Sequence, residues 1–199
     1  MCLFSATMPP EIIEMTDKFM KTPVKILVKN QQLTLDGIKQ FYIALQEDSQ
    51  KLGTLLQLYK SMVISQCMVF TNRKERVKEL AEKLAEHKFV VSCISGDMDM
   101  ADRVNVMKEF RSGSSRILIS TDLLGRGIDI QQVNLIINYD LPTSTSQYIH
   151  RIGRSGRFGR KGVAINFVTT GDAQFLANLR QFYNTQIEEL PLDLSKLYD

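Results

Sequence analysis

The sequence predicts a three-layer α/β/α fold built around a mostly parallel sheet. Short apolar runs alternate with longer segments in which apolar residues recur every three or four positions. This alternation is typical of repeated strand–helix–strand units with right-handed crossovers. Residues 133–139 are almost wholly apolar, as expected for a strand that is covered on both faces. No apolar run reaches the roughly 18 residues of a membrane span, so we predict no membrane segment.

Composition sets the first limits on function. The chain has 199 residues, enough for one domain or somewhat more, and its net charge of +3 is too small to indicate nucleic-acid binding without local clustering. Cys2, Cys67 and Cys93 are scattered, which favours neither a disulfide framework nor a zinc site. A reducing cytosol or nucleus is therefore the expected location. With only two histidines, a histidine metal site is not expected.

The elements can be predicted in chain order. A proline pair followed by apolar positions predicts a helix over 11–20, and residues 24–28 are predicted to form a short strand. Residues 29–36 are polar and without periodicity, which predicts a linker. The further predicted strands are 38–45, 67–70, 89–94, 116–120, 133–139 and 163–168, and the further predicted helices are 51–62, 74–87, 100–110, 144–149 and 172–183. Ligands of such sheets bind beyond the carboxyl ends of the strands.

An arginine string follows the helix predicted over 144–149. Arg151, Arg154, Arg157 and Arg160 are separated by glycines, and no acidic residue lies between positions 140 and 172. The three-residue spacing predicts guanidinium groups on one side of a tight helical or turn-like segment. Their planar forks suit phosphate oxygens. A solvated basic turn or a patch for a nucleic-acid backbone is the alternative.

Two other strand ends carry polar residues. After the strand predicted over 116–120, Thr121 and Asp122 precede a Gly-Arg-Gly turn whose amides can point at an anion. The alternative is that Thr121 or Asp122 caps a short helical turn. After the strand over 67–70, Asn72 and Arg73 are candidate phosphate contacts. Here the alternative is that Asn72 caps the next helix and Arg73 is merely solvated.

These strings together resemble a known family. Residues 150–157, His-Arg-Ile-Gly-Arg-Ser-Gly-Arg, are similar to the sixth motif of the DEAD-box RNA helicases. Residues 120–129 and 70–73 resemble the fifth and fourth motifs, and Ser-Ala-Thr at 5–7 resembles the third. Longer strings at 33–42, 107–122, 159–168 and 183–191 are similar to the translation-initiation branch of the family.

The resemblance implies a domain organisation. Residues 1–28 would be the tail of a preceding helicase domain, residues 29–36 the linker, and residues 37–199 the carboxy-terminal RecA-like domain. The family's phosphate loop and Asp-Glu-Ala-Asp string do not occur in this sequence and belong to the first domain of family members. We therefore expect this chain alone to be inactive as an ATP hydrolase.

The resemblance also implies roles for individual residues. Arg154 and Arg157 would act as fingers on the terminal phosphates of ATP, a role that is worth roughly a thousand-fold or more in rate. The implied ATP contacts are Arg154, Arg157, Asp129, Gly127 and Phe158. For Phe158, packing inside the turn is the alternative.

The implied RNA contacts are Asn72, Arg73, Gly96, Arg103, Thr121, Gly125 and Arg126. The implied residues of interdomain coupling are Ser5, Thr7, His150 and Arg151. Ser95 and Met100 stand where many members of the family carry His and Gln.

The implied function is that of the carboxy-terminal half of an ATP-dependent RNA helicase in translation initiation. Its cofactor would be ATP with magnesium, the metal being held mainly by the preceding domain. Its partners would be single-stranded RNA, bound with little regard to sequence, the protein's own first domain and a helical scaffold protein of the initiation machinery. The expected location is cytoplasmic, or nuclear for a paralogue in mRNA or rRNA processing. A docking module without catalysis and a DNA-acting member of the superfamily are the alternatives.

Overall fold

A seven-stranded parallel sheet forms the centre of the computed structural model, which describes residues 2–5, 8, 10–27, 37–62, 64–122, 133–156, 161–194 and 197. The strands are β1 (Ile38–Ala44), β2 (Cys67–Phe70), β3 (Val91–Ile94), β4 (Ile117–Ser120), β5 (Leu135–Asn138), β6 (Gly162–Val168) and β7 (Glu188–Glu189). Their spatial order is β3-β4-β2-β5-β6-β1-β7, and every neighbouring pair is parallel.

Six helices lie in the described ranges, and all but the first cover the faces of this sheet. They are α1 (Pro10–Phe19), α2 (Gln50–Ser61), α3 (Lys74–Glu86), α4 (Met100–Ser112), α5 (Thr145–Ile152) and α6 (Ala173–Tyr183). Leucines of α2 and α3 pack in one core cluster, whereas apolar residues of α4, α5 and α6 pack in a second. The two clusters are separated by the sheet, which confirms the predicted three-layer architecture.

Strand periodicity explains how one sheet serves two cores. Along β2, Cys67 and Val69 belong to the α2–α3 cluster, and Met68 and Phe70 belong to the α4–α6 cluster. Successive side chains of a strand point to opposite faces, so both sets must be apolar when both faces are covered. All seven residues of β6 are buried for the same reason.

The amino-terminal segment differs from its prediction in one respect. The helix is present as α1, but the strand predicted over 24–28 is wrong for residues 24–27, which belong to no strand, while residue 28 lies outside the described residues. Val24 and Ile26 are 91% and 89% exposed. A strand needs a hydrogen-bonding neighbour, and no strand in the described ranges pairs with this segment. Within α1 no residue is buried, and Met15 and Phe19 project apolar surface.

Three smaller differences concern element ends. Helix α5 runs to Ile152, beyond its predicted end, and β3 begins two residues later than predicted. The strand β7 was not predicted, because two exposed glutamates carry no apolar signal; it pairs with Phe41 and Tyr42 of β1.

All three cysteines are free thiols, and burial raises the pKa of Cys67 to about 12. None of the helices traced in the structure combines the length and apolarity of a bilayer-spanning segment.

Candidate nucleic-acid interface

A cleft of about 320 Å³ lies at the carboxyl edge of the sheet. Its lining comes from the loops that follow β2, β3 and β4 and from the beginning of α5. The lining residues are Asn72, Lys74, Gly96, Thr121, Asp122, Thr143 and Gln147. Three of the predicted RNA contacts, Asn72, Gly96 and Thr121, are thus brought together although they are far apart in sequence. The position agrees with the expectation that ligands bind beyond strand ends.

The loop after β2 is held by two hydrogen bonds, one from the backbone and one from the side chain of Asn72. Its backbone N–H donates to the Asp140 carboxylate at 3.1 Å, and its Nδ2 donates to the Leu141 carbonyl at 2.8 Å. Helix α3 has Arg73 at its N-cap position, with no side-chain capping bond. The alternative in which Asn72 caps this helix is therefore wrong. Arg73 is exposed.

Asp140 forms ion pairs with residues of two helices beside this loop. One of its carboxylate oxygens accepts from Lys51 Nζ and from Arg76 Nη1, both at 2.9 Å. Lys51 and Asp140 are only 4% and 6% exposed, so this is a buried ion pair. Arg76 and Lys51 also bond Asp48 at the surface. The carboxylate thereby joins α2 and α3 to the loop that carries Asn72.

Arg151 lies in the interior of the domain. The spacing of the arginine string had predicted that its guanidinium group shares one side of the segment with the other arginines. Its side chain is 1% exposed, and its guanidinium group lies 5.3 Å from the Phe70 ring centroid. Both oxygens of Asp122 accept from it, each at 2.6 Å. The prediction of one shared side for the guanidinium groups is wrong for this residue, because α5 extends through position 152 and directs the side chain into the domain. Its assignment to interdomain coupling stays a prediction.

Arg154 follows directly after the end of α5. It is half-buried, and its Nε donates to the carbonyl of His150 at 3.0 Å. Helix α5 ends at Gly153, where an added Cβ would lie only 2.9 Å from the Ile149 carbonyl oxygen. That approach is closer than real Cβ atoms show, so the helix end requires glycine. The regular helix stops immediately before Arg154, whose backbone N–H donates to the Arg151 carbonyl at 3.1 Å.

The segment after β3 differs from the family pattern in its details. Ser95 is buried, and its hydroxyl donates to the carboxylate of Asp97. Lys78 bonds the same carboxylate at 2.7 Å and holds the pKa of Asp97 well below its usual range. Met100 is 72% exposed at the start of α4. Arg103 donates to the Gly96 carbonyl at 2.9 Å, while its buried Nε–H has no acceptor within the described chain.

Other predicted site residues fall outside the described part of the chain. They are Thr7, Gly125, Arg126, Gly127, Asp129, Arg157 and Phe158. Ser5 is described and exposed. Of the predicted nucleotide contacts, the structure therefore describes Arg154 alone. Across the described ranges no group of three acidic, histidine or cysteine side chains could hold a metal ion.

Four lining residues were not among the predicted contacts. Lys74 is the first residue of α3. Its position just after a strand end and a short loop could have predicted that it lines a site beyond the carboxyl ends of the strands. Asp122 stands in the fifth motif beside Thr121. Thr143 and Gln147 lie at the start of α5 and bond one another through the Gln147 side chain. Nothing in the local sequence marks these last two, since they reach the cleft only through the packing of α5.

Comparison with known proteins shows which family combines this fold and these motifs. Residues 50–159 match the family model described as helicase conserved C-terminal domain. The chain is 57% identical to the ATP-dependent RNA helicase eIF4A of Mycosarcoma maydis, over 98% of this chain and 47% of that protein. The chain thus spans about half the length of the relatives it matches.

Solved structures give the same result. S. cerevisiae Dbp5 bound to RNA and ADP BeF3 superposes with a TM-score of 0.89 at 34% identity, covering 96% of this chain and 51% of that chain. The E. coli DEAD-box protein SrmB, bound to the regulator of ribonuclease activity A, superposes with a TM-score of 0.73 at 34% identity, covering 78% and 92%. The chain therefore belongs to the helicase conserved C-terminal domain family and is a RecA-like domain of the DEAD-box, eIF4A-like kind.

Proposed function

We propose that this chain is the carboxy-terminal half of an ATP-dependent RNA helicase that acts in translation initiation. The observation that carries the proposal is the cleft, which joins Asn72, Gly96 and Thr121 with the cation of Lys74. The first residue of α3 and the first turn of α5 contribute to its lining. Helix amino termini favour anions, so the cleft suits a chain of phosphates.

RNA would be held mostly through its backbone. The described lining residues supply hydroxyls, amides, one lysine and the Asp122 carboxylate, which is paired with Arg151, and among them is no aromatic ring on which a base could stack. Such contacts position a nucleic acid without reading its sequence. Arg103, whose Nη2 donates to the Gly96 carbonyl at 2.9 Å, would bring a second cation to the phosphates beside Gly96. Binding of this type tolerates sequence and weakens with salt.

ATP would lie between this domain and a preceding one. On this side, Arg154 and Arg157 would neutralise charge on the transferring phosphoryl group, Asp129 would accept from the ribose, and Gly127 and Phe158 would border the nucleotide. The preceding domain would supply the phosphate loop and the carboxylates for magnesium. The exposed apolar residues of α1 support this arrangement, because Met15 and Phe19 have surface to bury against such a domain. Ser5, Thr7 and His150 would then lie near the domain boundary.

A docking role is the second candidate. The SrmB structure contains a DEAD-box protein of similar fold in complex with another protein. A helical scaffold protein of the initiation machinery could use this domain in the same way, in the cytoplasm or, for a paralogue, in the nucleus. Docking without catalysis would leave the cleft residues unused, so variants in the cleft distinguish the two candidates.

Lys74→Gln in the full-length protein should weaken binding of single-stranded RNA and reduce its salt dependence. Loss of one phosphate contact lowers the slope of log affinity against log salt by about 0.7 for single strands. The measurement is RNA affinity at four or more salt concentrations. Lys83→Gln is the matched control, because Lys83 lies on the same helix and pairs with Glu79 at the exposed surface. Equal slopes for the parent and both variants would contradict the proposed RNA cleft.

A further inference from the structure

Two side-chain amides line the cleft, and they differ in the hydrogen-bonding groups that they still offer to a ligand. Asn72 uses both ends of its amide inside the protein, since Oδ1 accepts from Arg151 at 2.7 Å and Nδ2 donates to the Leu141 carbonyl at 2.8 Å. Within the described residues, the Gln147 side chain bonds through its oxygen alone. An amide nitrogen carries two N–H donors, so Gln147 keeps both of its donors for a ligand.

The bonds to Thr143 determine which way the Gln147 amide faces. The Thr143 backbone N–H donates to Gln147 Oε1 at 3.1 Å, and the Thr143 hydroxyl donates to the same oxygen at 3.0 Å. A backbone N–H can only donate, so its partner must be the amide oxygen and not the amide nitrogen. The Nε2 group is thereby left at the end of the amide that does not bond Thr143.

The backbone of Gln147 is fixed as well. Helix α5 begins at Thr145, after the N-cap residue Ser144, and the Ser144 hydroxyl accepts from the Gln147 backbone N–H at 3.3 Å. The loop after β5 therefore holds this residue at its main chain and at its side chain. A donor that is already held in place loses little conformational freedom when it binds a ligand, which favours affinity.

The charges in the cleft favour an anionic ligand. Lys74 is exposed and contributes an ammonium group to the lining. The carboxylate of Asp122 also lines the cleft, but both of its oxygens accept from Arg151. The lining thus combines a cation and a free amide donor with a carboxylate that is already paired. A phosphate, with its negative charge and several acceptor oxygens, matches these groups.

We propose that Gln147 donates to a phosphate oxygen of RNA in the cleft and that Thr143 is the positioning residue that orients its amide. The inference rests on the proposed function and deepens it, because it adds a contact from α5 to those from the loops after β2, β3 and β4. The RNA backbone is then contacted by Lys74 of α3 and by Gln147 of α5.

Gln147→Glu in the full-length protein tests this role. The carboxylate keeps an oxygen that accepts from Thr143 and replaces the N–H donors by a second, negative oxygen. We expect the affinity for single-stranded polyuridylate, measured with a non-hydrolysable ATP analogue present, to fall about tenfold or more, as for the loss of a hydrogen bond to a charged group. The melting temperature should not fall, because an acidic side chain is favourable in the first turn of a helix.

Gln147→Met separates lost donation from added repulsion. Methionine has a similar length but no N–H donor, so the affinity should fall by about threefold to tenfold. This loss should be the same at low and high salt, since a neutral donor releases no counterions. The loss caused by Gln147→Glu should instead shrink as salt screens the added charge.

Gln174→Glu is the matched control. Gln174 lies on α6, is not among the described lining residues, and bonds Asn178 at the exposed surface. The substitution adds the same charge in the same way, and the affinity for polyuridylate should stay within about twofold of the parent, as is usual for surface substitutions.

The results distinguish this inference from the proposed function. Affinities of both Gln147 variants within twofold of the parent would overturn the inference. A fall for Gln147→Glu with none for Gln147→Met would also overturn it, because repulsion alone would then be at work. If Lys74→Gln weakens binding while both Gln147 variants bind normally, the RNA cleft stands and the role of Gln147 is wrong. If none of the three variants weakens binding, the proposed RNA cleft is wrong and the role of Gln147 falls with it.

Discussion

Arg154→Lys in the full-length protein should lower ATP turnover by roughly a thousand-fold at saturating ATP and RNA. The residue leaves the end of α5 at a point where only glycine fits the preceding position. Lysine keeps the charge but lacks the planar fork that engages two phosphate oxygens together. Because this contact strengthens as charge develops during phosphoryl transfer, kcat should fall far more than the KM for ATP rises.

Lys161→Gln provides the comparison for that result. Lys161 is an exposed cation close to Arg154 in the sequence, and its loss should leave turnover within about twofold, as surface substitutions usually do. Steady-state ATP hydrolysis with RNA at saturation is the measurement. Turnover of the Arg154→Lys protein within twofold of the parent would exclude a finger role for Arg154.

Asp140→Leu should destabilise the chain by roughly 3 kcal/mol, at the low end of the range for breaking a buried ion pair. Lys51 would remain 4% exposed, with only the surface carboxylate of Asp48 as its partner. The backbone N–H of Asn72 would also lose its acceptor. Urea or guanidinium unfolding of the 199-residue chain measures this free energy directly.

Glu79→Gln is the corresponding surface variant. Glu79 pairs with Lys83 one turn along α3, where both side chains are largely exposed. Exposed pairs of this kind add little to stability, so the unfolding midpoint should stay within experimental error of the parent. If Asp140→Leu behaved in the same way, the buried network would not be what holds the loop after β2.

The parts of the fold that depend on local periodicity could be predicted from the sequence. Continuous apolar strands and amphipathic helices predict the layers, and the strand-end rule predicts that Gly96 and Thr121 lie near one another. The segment around Val24 shows the limit, since an apolar alternation predicts a strand only if a neighbouring strand is available to pair with it.

The interior position of Arg151 could not be predicted in that way. Its partners Asn72, Asp122 and Asn138 lie 79, 29 and 13 residues away in sequence. An arginine becomes favourable in a core only when such distant groups meet around it, so burial here is a property of the tertiary structure. Spacing alone treated Arg151 and Arg154 as equivalent, whereas the structure buries Arg151 and leaves Arg154 half-buried after the helix end.

We propose that this chain contributes one side of two sites that close together around ATP and RNA. Reciprocal titrations of the full-length protein test it most directly, measuring RNA affinity with and without a non-hydrolysable ATP analogue and analogue affinity with and without RNA. We expect each ligand to raise the affinity of the protein for the other by the same factor, between roughly 5-fold and 150-fold. We expect the 199-residue chain alone neither to hydrolyse ATP nor to bind RNA tightly. Tight RNA binding by the chain alone, unaffected by nucleotide, together with no shift in either titration, would contradict the claim.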